Sequence, residues 1–240
     1  MVIGVIPARY KSTRLPGKPL LMISGKPMIQ RVYESAVKSI YLSEVIVATD
    51  DRRIFNCVMG FGGKAVMTSA KHKSGTDRIC EAVNRIKADI VVNIQGDEPF
   101  IDYKNIDKAI EPLISNEKIN VSTLAIKIKD KKEICDSNKV KVVFDNNNTA
   151  LYFSRSVLPF NRDGGKTDYY KHIGLYVYRK KYLMKYKNLN QTKLEASEKL
   201  EQLRILENGE KIKVVITKTD SFSVDTKEDY SKIKSRKRIA

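Results

Sequence analysis

The sequence has 240 residues, of which 42% are hydrophobic and 30% charged. This composition excludes collagen-like, low-complexity and disordered chains, and the length suffices for one or two domains with a buried core. The three cysteines form no CxxC pair, which argues against a disulfide framework or a zinc site and indicates a reducing compartment. We expect neither a signal peptide nor a membrane-spanning segment, and therefore a cytoplasmic protein.

The formal net charge of +17 is the extreme value of the composition. It fits a nucleic-acid or anionic-membrane partner, or a lysine-rich surface whose field attracts an anionic small substrate. The basic residues are spread along the chain, and the clusters at residues 127–132 and 232–238 come without a Cys2His2, bZIP or RNP1 pattern. We therefore expect no nucleic-acid or membrane partner, and keep a basic nucleic-acid-binding protein as the distant alternative.

The N-terminal half alternates apolar runs of strand length with helical patterns. The runs at residues 2–6, 45–49 and 90–94 are rich in Val and Ile, and their continuous hydrophobicity is typical of strands covered on both faces, as in a parallel sheet. Helices are predicted at residues 27–39, 51–61 and 76–86, with Pro27 at the first helical position and Asp50 or Asp51 capping the second helix. Strands that alternate with helices of this length indicate βαβ units.

After residue 101 the pattern becomes β-rich. Strands are predicted at residues 121–128, 140–144, 150–154, 173–178 and 212–217. A helix is predicted at residues 193–206, ended by Asn208-Gly209, and a terminal helix at residues 227–233. We expect one α/β domain, residues 1–240, with a Rossmann-like, mostly parallel sheet flanked by helices and a smaller β-rich lobe.

A basic loop follows the first predicted strand, where ligands bind in open parallel sheets. Residues 7–18 offer two hydroxyls, a glycine and four cations: Arg9, Lys11, Arg14 and Lys18. Guanidinium and ammonium groups at this position suit a triphosphate. Gly17-Lys18 lacks the earlier glycine of a Walker A motif, and the alternative of an ordinary exposed basic loop stays open.

Asp97 is a candidate ligand of Mg²⁺. It follows the third N-terminal strand at the same sheet edge as the basic loop, and Mg²⁺ takes one or two carboxylates together with phosphate oxygens and water. Asp225, after apolar sequence near the C-terminus, is a weaker candidate. Each has an ordinary structural alternative, since Asp97 could cap a turn and Asp225 could cap the terminal helix.

Taken together, these segments resemble the 3-deoxy-manno-octulosonate cytidylyltransferase family, the CMP-Kdo synthetases. The resemblance covers essentially the whole chain and is carried, in order, by IPARYKSTRLPGKPL (6–20), GKPMI (25–29), VATDD (47–51), SGTDR (74–78), NIQGDEP (93–99), LYFSR (151–155), KHIGLYVYR (171–179), KLEQLR (199–204) and VDT (224–226). Sialic acid-activating cytidylyltransferases share the opening loop, whereas RLPGKPL together with QGDEP and LEQLR points to the Kdo branch.

The resemblance implies a nucleotidyltransferase-type fold. Its nucleotide-binding part would comprise residues 1–120 and 212–240, and a sugar-binding and dimerisation lobe residues 121–211. It further implies a Mg²⁺-dependent enzyme that transfers CMP from CTP to the anomeric hydroxyl of 3-deoxy-manno-octulosonate (Kdo), giving CMP-Kdo and pyrophosphate for lipopolysaccharide biosynthesis. CTP and an acidic eight-carbon sugar would be the partners, and the protein would be a homodimer.

The resemblance also implies roles for residues at matching positions. The catalytic positions are Arg9, Lys18, Asp97 and Asp225, of which the two aspartates would be the metal ligands. The nucleotide-binding positions are Ala8, Arg9, Ser12, Arg14, Lys18, Ser74, Gly75 and Gln95. The sugar-binding positions are Gln95, Arg155, His172, Tyr176, Glu201 and Gln202, whose polar groups suit a polyhydroxylated acid.

Two residues depart from the family's pattern. Lys11 adds bulk and charge where a small residue is usual, and Ser223 stands where a Gly commonly precedes the metal-ligand segment. Because Gly adopts backbone angles that Ser does not, the local turn and the sugar pocket could differ. A branch of the family that activates 8-amino-3,8-dideoxy-manno-octulosonate also has members without this glycine, so the amino sugar stays an alternative substrate.

Overall fold

The structure, a computed structural model, describes residues 1–11, 15–72 and 74–236. The described strands are β1 (Val2–Ala8), β2 (Met22–Ile23), β3 (Lys26–Pro27), β4 (Glu44–Thr49), β5 (Ala65–Met67), β6 (Ile90–Asn93), β7 (Val121–Lys127), β8 (Lys141–Phe144), β9 (Ala150–Ser154), β10 (Tyr170–Arg179) and β11 (Ile212–Thr217). The described helices are α1 (Met28–Ala36), α2 (Arg52–Gly60), α3 (Gly75–Val83), α4 (Tyr103–Ser115), α5 (Lys131–Cys135), α6 (Lys180–Tyr186), α7 (Lys193–Glu198), α8 (Gln202–Glu207) and α9 (Lys227–Arg236). None of the helices within these described ranges has the length and hydrophobicity needed to cross a membrane.

The chain divides into two compact units. The first contains residues 1–107 and the C-terminal segment from Ser221, and the second contains residues 108–220. The predicted boundaries at residues 121 and 211, with the roles given to each part, stay a prediction.

The first unit is built on four parallel strands in the order β6-β1-β4-β5. Ile3, Val5, Val47 and Val91 in these strands are fully buried, as expected for strands covered on both faces. The prediction of a parallel sheet from continuous Val and Ile runs is confirmed. All four strands run the same way, so their carboxyl ends lie at one edge of the sheet.

Two details at the helix starts differ from or refine the prediction. Pro27 is not the first helical residue, because it pairs with Met22 in the β2-β3 hairpin and the helix begins one residue later, at Met28. Asp51 caps α2, since its Oδ1 accepts a hydrogen bond from the Arg53 N–H at 2.9 Å. The alternative cap, Asp50, pairs with an arginine instead.

The second unit has a mixed sheet. β11 pairs with β7 in parallel, and the pairs β7-β10, β10-β8 and β8-β9 are antiparallel. Between Ile173 and Tyr176 the register of β10 against β7 shifts, because Leu124 faces Ile173 and the next residue back, Thr123, faces Tyr176. Gly174 and Leu175 are thus the extra residues of a β-bulge.

The single helix predicted at residues 193–206 is wrong, since α7 and α8 are separate helices. Lys199 ends α7 in the left-handed conformation, with φ of 55°. The break lets the Arg204 guanidinium reach back to the buried Glu195 carboxylate, with Nε 2.7 Å from Oε2. In one continuous helix, residues nine apart would be separated by about 13 Å along the axis, so the ion pair and the unbroken helix exclude each other. The predicted stop at Asn208-Gly209 is confirmed, with Gly209 at φ of 76°.

Candidate active site

Lys18 lies between two carboxylates in the first unit. Its Nζ is 2.7 Å from Asp97 Oδ2 and 3.0 Å from Asp225 Oδ1, and its side chain is only 15% exposed. Residues that are remote in the sequence are thus brought into one cluster, the carboxylate–lysine cluster. It contains three of the four residues that the resemblance proposes for catalysis.

Local backbone geometry places Lys18 in this cluster. Gly17 adopts a left-handed conformation, with φ of 69°, at the start of a short 3-10 helix (Lys18–Leu20). Its N–H donates to the Tyr10 carbonyl at 2.9 Å, which closes the loop after β1. A side chain at this φ would be strained, and a Cβ would also lie 3.2 Å from the Tyr10 ring.

The C-terminal segment places Asp225 in the same cluster. The Val224 N–H donates to the Asp97 carbonyl at 2.9 Å, and the Val224 side chain is fully buried. It packs in a small hydrophobic core formed by Leu15, Ile23, Met28, Val224 and Ile233. This core holds the residues before α9 against the loop that carries Lys18.

Burial and charge oppose each other in the carboxylate–lysine cluster. Burial alone would lower the pKa of Lys18, but attraction to Asp97 and Asp225 outweighs it and raises that pKa above its ordinary value. Burial raises the pKa of Asp97, the nearby Asp225 charge raises it further, and Lys18 offsets these effects only in part. The two carboxylates therefore need a cation between them, and the Lys18 ammonium provides it.

The helix-cap alternative for Asp225 does not describe its side chain. Thr226 caps α9 instead, because its Oγ1 accepts a hydrogen bond from the Asp229 N–H at 3.1 Å, while Asp229 Oδ2 accepts from the Thr226 N–H at 3.0 Å. Asp225 is left to bind Lys18. Within the described ranges no group of three or more His, Cys, Asp or Glu could hold a metal. Two carboxylates, completed by phosphate oxygens and water, nevertheless form a donor set that suits Mg²⁺.

A second cationic feature of the first unit consists of two arginines, Arg9 after β1 and Arg78 in α3. Arg9 was proposed from the sequence, whereas Arg78 was missed. Arg78 in α3 is wholly buried, its Nη1 donates to Thr68 Oγ1, and its Nη2 lies 3.1 Å from Asp50 Oδ2. Burial lowers the pKa of Arg78, Asp50 opposes this, and the charge of Arg9 lowers it further. Among the described residues, Nη2 of Arg9 and Nε of Arg78 are buried without a hydrogen-bond partner. Two neighbouring guanidinium groups with spare donors favour an anion at this place.

The remaining first-unit candidates surround the strand ends. Ala8 is buried at the end of β1. Ser74 caps α3, since its Oγ accepts a hydrogen bond from the Asp77 N–H and Asp77 Oδ2 accepts one from the Ser74 N–H. A Cβ on Gly75 would lie 3.5 Å from Pro7 Cγ. Gln95 donates from Nε2 to Asn93 Oδ1 at 3.2 Å. Ser12 and Arg14 lie outside the described residues.

In the second unit, the structure brings His172 and Tyr176 together. Their ring centroids are 5.3 Å apart, and Phe153 contacts His172 edge-on at 5.1 Å. His172 Nε2 lies 2.9 Å from Thr123 Oγ1. Burial lowers the pKa of His172 to about 3, so the imidazole is neutral at physiological pH.

The other sugar-binding candidates of the second unit are placed differently. Tyr176 stacks on Tyr178, Tyr178 on Tyr186, and the Tyr186 hydroxyl donates to the Glu201 carbonyl at 2.9 Å. Glu201 is exposed at the start of α8, and the next residue, Gln202, is buried. Arg155 donates from Nε to the Glu198 carbonyl at 2.8 Å and from Nη1 to the Ser137 carbonyl at 3.1 Å. These bonds commit much of its guanidinium to the backbone.

A parallel α/β sheet with basic and acidic groups at its carboxyl edge is typical of nucleotide-binding proteins. Comparison with known proteins identifies the family. The family model described as Cytidylyltransferase matches residues 3–212. A 3-deoxy-manno-octulosonate cytidylyltransferase of Trichlorobacter lovleyi is 50% identical over 98% of both chains, and one of Geobacter metallireducens is 50% identical over 97% of this chain and 96% of its own. A solved CMP:2-keto-3-deoxy-manno-octonic acid synthetase complexed with CTP has a TM-score of 0.95 and 42% identity, covering 99% of this chain and 98% of the other.

The fold is therefore that of the nucleotidyltransferases, and the predicted α/β fold with a mostly parallel sheet flanked by helices is confirmed. The chain belongs to the 3-deoxy-manno-octulosonate cytidylyltransferase family.

Proposed function

We propose that the protein transfers CMP from CTP to the anomeric hydroxyl of Kdo. The hydroxyl oxygen bonds to the α-phosphorus of CTP, the bond from that phosphorus to the bridging oxygen of the β-phosphate breaks, pyrophosphate leaves, and the hydroxyl proton is lost to solvent. One observation supports this proposal: the chain contains the carboxylate–lysine cluster and is 50% identical, over 98% of its length, to a 3-deoxy-manno-octulosonate cytidylyltransferase. Because these relatives act on Kdo by name, the 8-amino sugar is not favoured.

We assign the triphosphate to the basic groups after β1. The Lys18 ammonium and the Arg9 guanidinium, with Ser12 and Arg14 of the same loop, would neutralise and orient the phosphates. Arg9 Nη2, buried and without a hydrogen-bond partner among the described residues, supports this assignment because a phosphate oxygen would satisfy it. Positioning and charge neutralisation then supply the rate, since phosphoryl chemistry of this kind needs little covalent help from the protein.

Asp97 and Asp225 are the residues that would hold Mg²⁺. Their shared contact with one ammonium indicates that both oxygens face a single cation-sized place, which fits the one or two carboxylates that Mg²⁺ takes from proteins. When bound, Mg²⁺ supplies positive charge at the phosphates and lowers the pKa of a nearby hydroxyl.

The resemblance also assigns polar groups to the base and to the sugar. Ala8, Ser74, Gly75 and Gln95 are the nucleoside positions. Of the positions that the resemblance gives to the sugar, Gln95 belongs to the first unit, and the second unit contains Arg155, His172, Tyr176, Glu201 and Gln202. The contact between the His172 and Tyr176 rings supports a shared role for these two. The homodimer and the cytoplasmic location implied by the resemblance stay predictions.

The test is pyrophosphate release from CTP on addition of Kdo, with and without MgCl₂. Asp97→Asn and Asp225→Asn should each reduce turnover about a hundredfold or more, because each removes one charge from the proposed metal site. Asp163→Asn, the same change at an exposed loop position, is the matched control and should leave turnover unchanged.

Substrate identity is tested by assaying CTP, UTP, GTP and dTTP against Kdo, 8-amino-Kdo and sialic acid. CTP with Kdo should give the highest kcat/KM. The proposed function is wrong if the wild-type protein releases no pyrophosphate with this pair. If kcat/KM were higher with 8-amino-Kdo than with Kdo, the amino sugar would be the substrate.

A further inference from the structure

The β-bulge in β10 explains how His172 and Tyr176 meet. Residues four apart on a regular strand are separated by about 13 Å, yet these two ring centroids are 5.3 Å apart. Gly174 and Leu175, the two extra residues of the bulge, shorten the strand between them. The bulge also removes the Leu175 carbonyl from the regular ladder with β7, so this carbonyl needs another donor.

Thr123 supplies that donor. Its side chain is fully buried, and its Oγ1 lies 2.8 Å from the Leu175 carbonyl oxygen and 3.3 Å from the Ile173 carbonyl oxygen. A hydroxyl has one proton, and carbonyl oxygens can only accept. The Thr123 proton is therefore committed to the backbone of the bulge.

The same oxygen lies 2.9 Å from His172 Nε2. Since Thr123 has no second proton to give, the hydrogen of this bond must belong to His172, and Thr123 accepts it. A neutral imidazole with a proton on Nε2 carries a lone pair on Nδ1. Nδ1 has no hydrogen-bond partner in the part of the chain that the structure describes.

We propose that Thr123 is a positioning residue that holds His172 as the Nε2–H tautomer, so that His172 accepts a hydrogen bond from a hydroxyl group of the sugar and does not bind its carboxylate. The proposal rests on the proposed function. An ionised carboxylate offers only acceptors, and it would face the lone pair of Nδ1, whereas a sugar hydroxyl can donate to it.

The tautomer can be measured without any substrate. The chain contains two histidines, so ¹⁵N-histidine labelling gives two ring systems, and His72→Gln assigns them. At neutral pH the His172 ring of the wild-type protein should have a protonated Nε2 and an unprotonated Nδ1. Thr123→Val, which keeps the side-chain shape without the hydroxyl, should give a mixture of tautomers. A proton on Nδ1 in the wild-type protein would overturn the proposal.

Kinetics then separate positioning from general stability. Thr123→Val should raise KM for Kdo about tenfold and leave KM for CTP unchanged, and Thr123→Ser should restore the wild-type value. Ser122→Ala is the matched control. It removes the neighbouring buried hydroxyl, which donates to the Ala109 carbonyl, and should lower stability without changing KM for Kdo. Equal effects of Thr123→Val on both KM values would contradict the proposal.

Substrate analogues identify the group that His172 binds. Kdo analogues that each lack one hydroxyl, and a carboxamide analogue, are compared on the wild type and on His172→Phe. One deoxy analogue should have a KM about tenfold higher than that of Kdo on the wild type. On His172→Phe the same analogue and Kdo should have equal KM values. The proposal is wrong if the carboxamide is the analogue with this behaviour. Absence of activity in the wild type would instead refute the proposed function, while the NMR result would still decide the tautomer.

Discussion

Lys18 and Asp225 are 207 positions apart in the sequence, yet the Lys18 ammonium donates a hydrogen bond to Asp225 Oδ1 at 3.0 Å. The same ammonium binds Asp97 Oδ2 at 2.7 Å. It is therefore the counter-ion of two carboxylates in a partly buried place. Without it, two like charges would face each other, so we expect the stability of the cluster to depend on a bound cation.

Replacement of Lys18 by Met removes the charge and keeps much of the side-chain length. We expect the free energy of unfolding to fall by about 1–3 kcal/mol in the absence of divalent ions, because Asp97 and Asp225 lose their counter-ion while remaining partly buried. MgCl₂ should stabilise the Lys18→Met variant more than the wild type, since no ammonium competes for the two carboxylates. Urea unfolding with and without MgCl₂ measures both effects.

Lys26→Met is the control for loss of a lysine that binds a carboxylate. Lys26 pairs with Glu34 at 2.7 Å on the exposed surface, so its loss should change the unfolding free energy by about 0.5 kcal/mol or less, with no added response to MgCl₂. If MgCl₂ stabilised the wild type and Lys18→Met to the same extent, the competition between lysine and metal would be refuted.

Part of the candidate site follows from sequence pattern alone. Asp97 could be placed at the sheet edge because it directly follows an apolar strand, and the carboxyl ends of parallel strands meet at one edge. Asp225 could not be decided, since Asp225 and Thr226 are adjacent residues that can both cap a helix, and only the fold shows that Thr226 caps α9. Arg78 was missed because an arginine in a helical pattern reads as a surface charge, whereas here it is wholly buried.

The second unit was harder to predict for a different reason. The spacing of Leu200, Leu203 and Leu206 satisfies one long helix, and nothing local reveals that Arg204 must turn back to Glu195. His172 and Tyr176 share a face in any regular strand, but their ring contact depends on the bulge and on Thr123, which is 49 positions away. Long-range pairs such as these decide local geometry and leave little trace in periodicity.

Gly96 is where the chain leaves least room beside the cluster. A Cβ at this position would lie 3.1 Å from the Pro7 carbonyl oxygen and 3.4 Å from Ile6 Cγ2, so Gly96→Ala must shift the end of β1 or the turn before Asp97. We expect a loss of about 1 kcal/mol in unfolding free energy and of about tenfold in turnover, because a small displacement of positioned groups is costly to the rate. Chemical unfolding and pyrophosphate release measure the two.

Gly165→Ala is the control for this substitution. No atom lies within 4 Å of a Cβ built on Gly165, so the added methyl group meets no neighbour there. Its turnover should equal that of the wild type. Wild-type turnover in Gly96→Ala would mean that the strand end relaxes without moving Asp97, and that the close approach has no catalytic consequence.

Acid should destabilise the protein through His172. Burial lowers its pKa in the folded protein to about 3, compared with 6.5 for an unperturbed histidine. Between these values the unfolded chain binds a proton that the folded chain does not, so stability falls as pH falls. We expect this one group to lower the free energy of unfolding by roughly 1 kcal/mol per pH unit once the pH is well below 6.5, with the loss ending near pH 3. Urea unfolding of the wild type across this range measures the total slope.

The contribution of His172 is isolated by comparison with His172→Gln, which cannot take up a proton in this range. Titration of the carboxylates is common to both proteins and cancels in the difference between their unfolding free energies. That difference should be constant above pH 7. As the pH is lowered, the wild type should lose stability relative to His172→Gln, because only the wild type has an imidazole that gains a proton on unfolding. A difference independent of pH would mean that His172 titrates alike in the folded and unfolded chains, and that the ring is not held in a dehydrated place between Thr123 and Phe153.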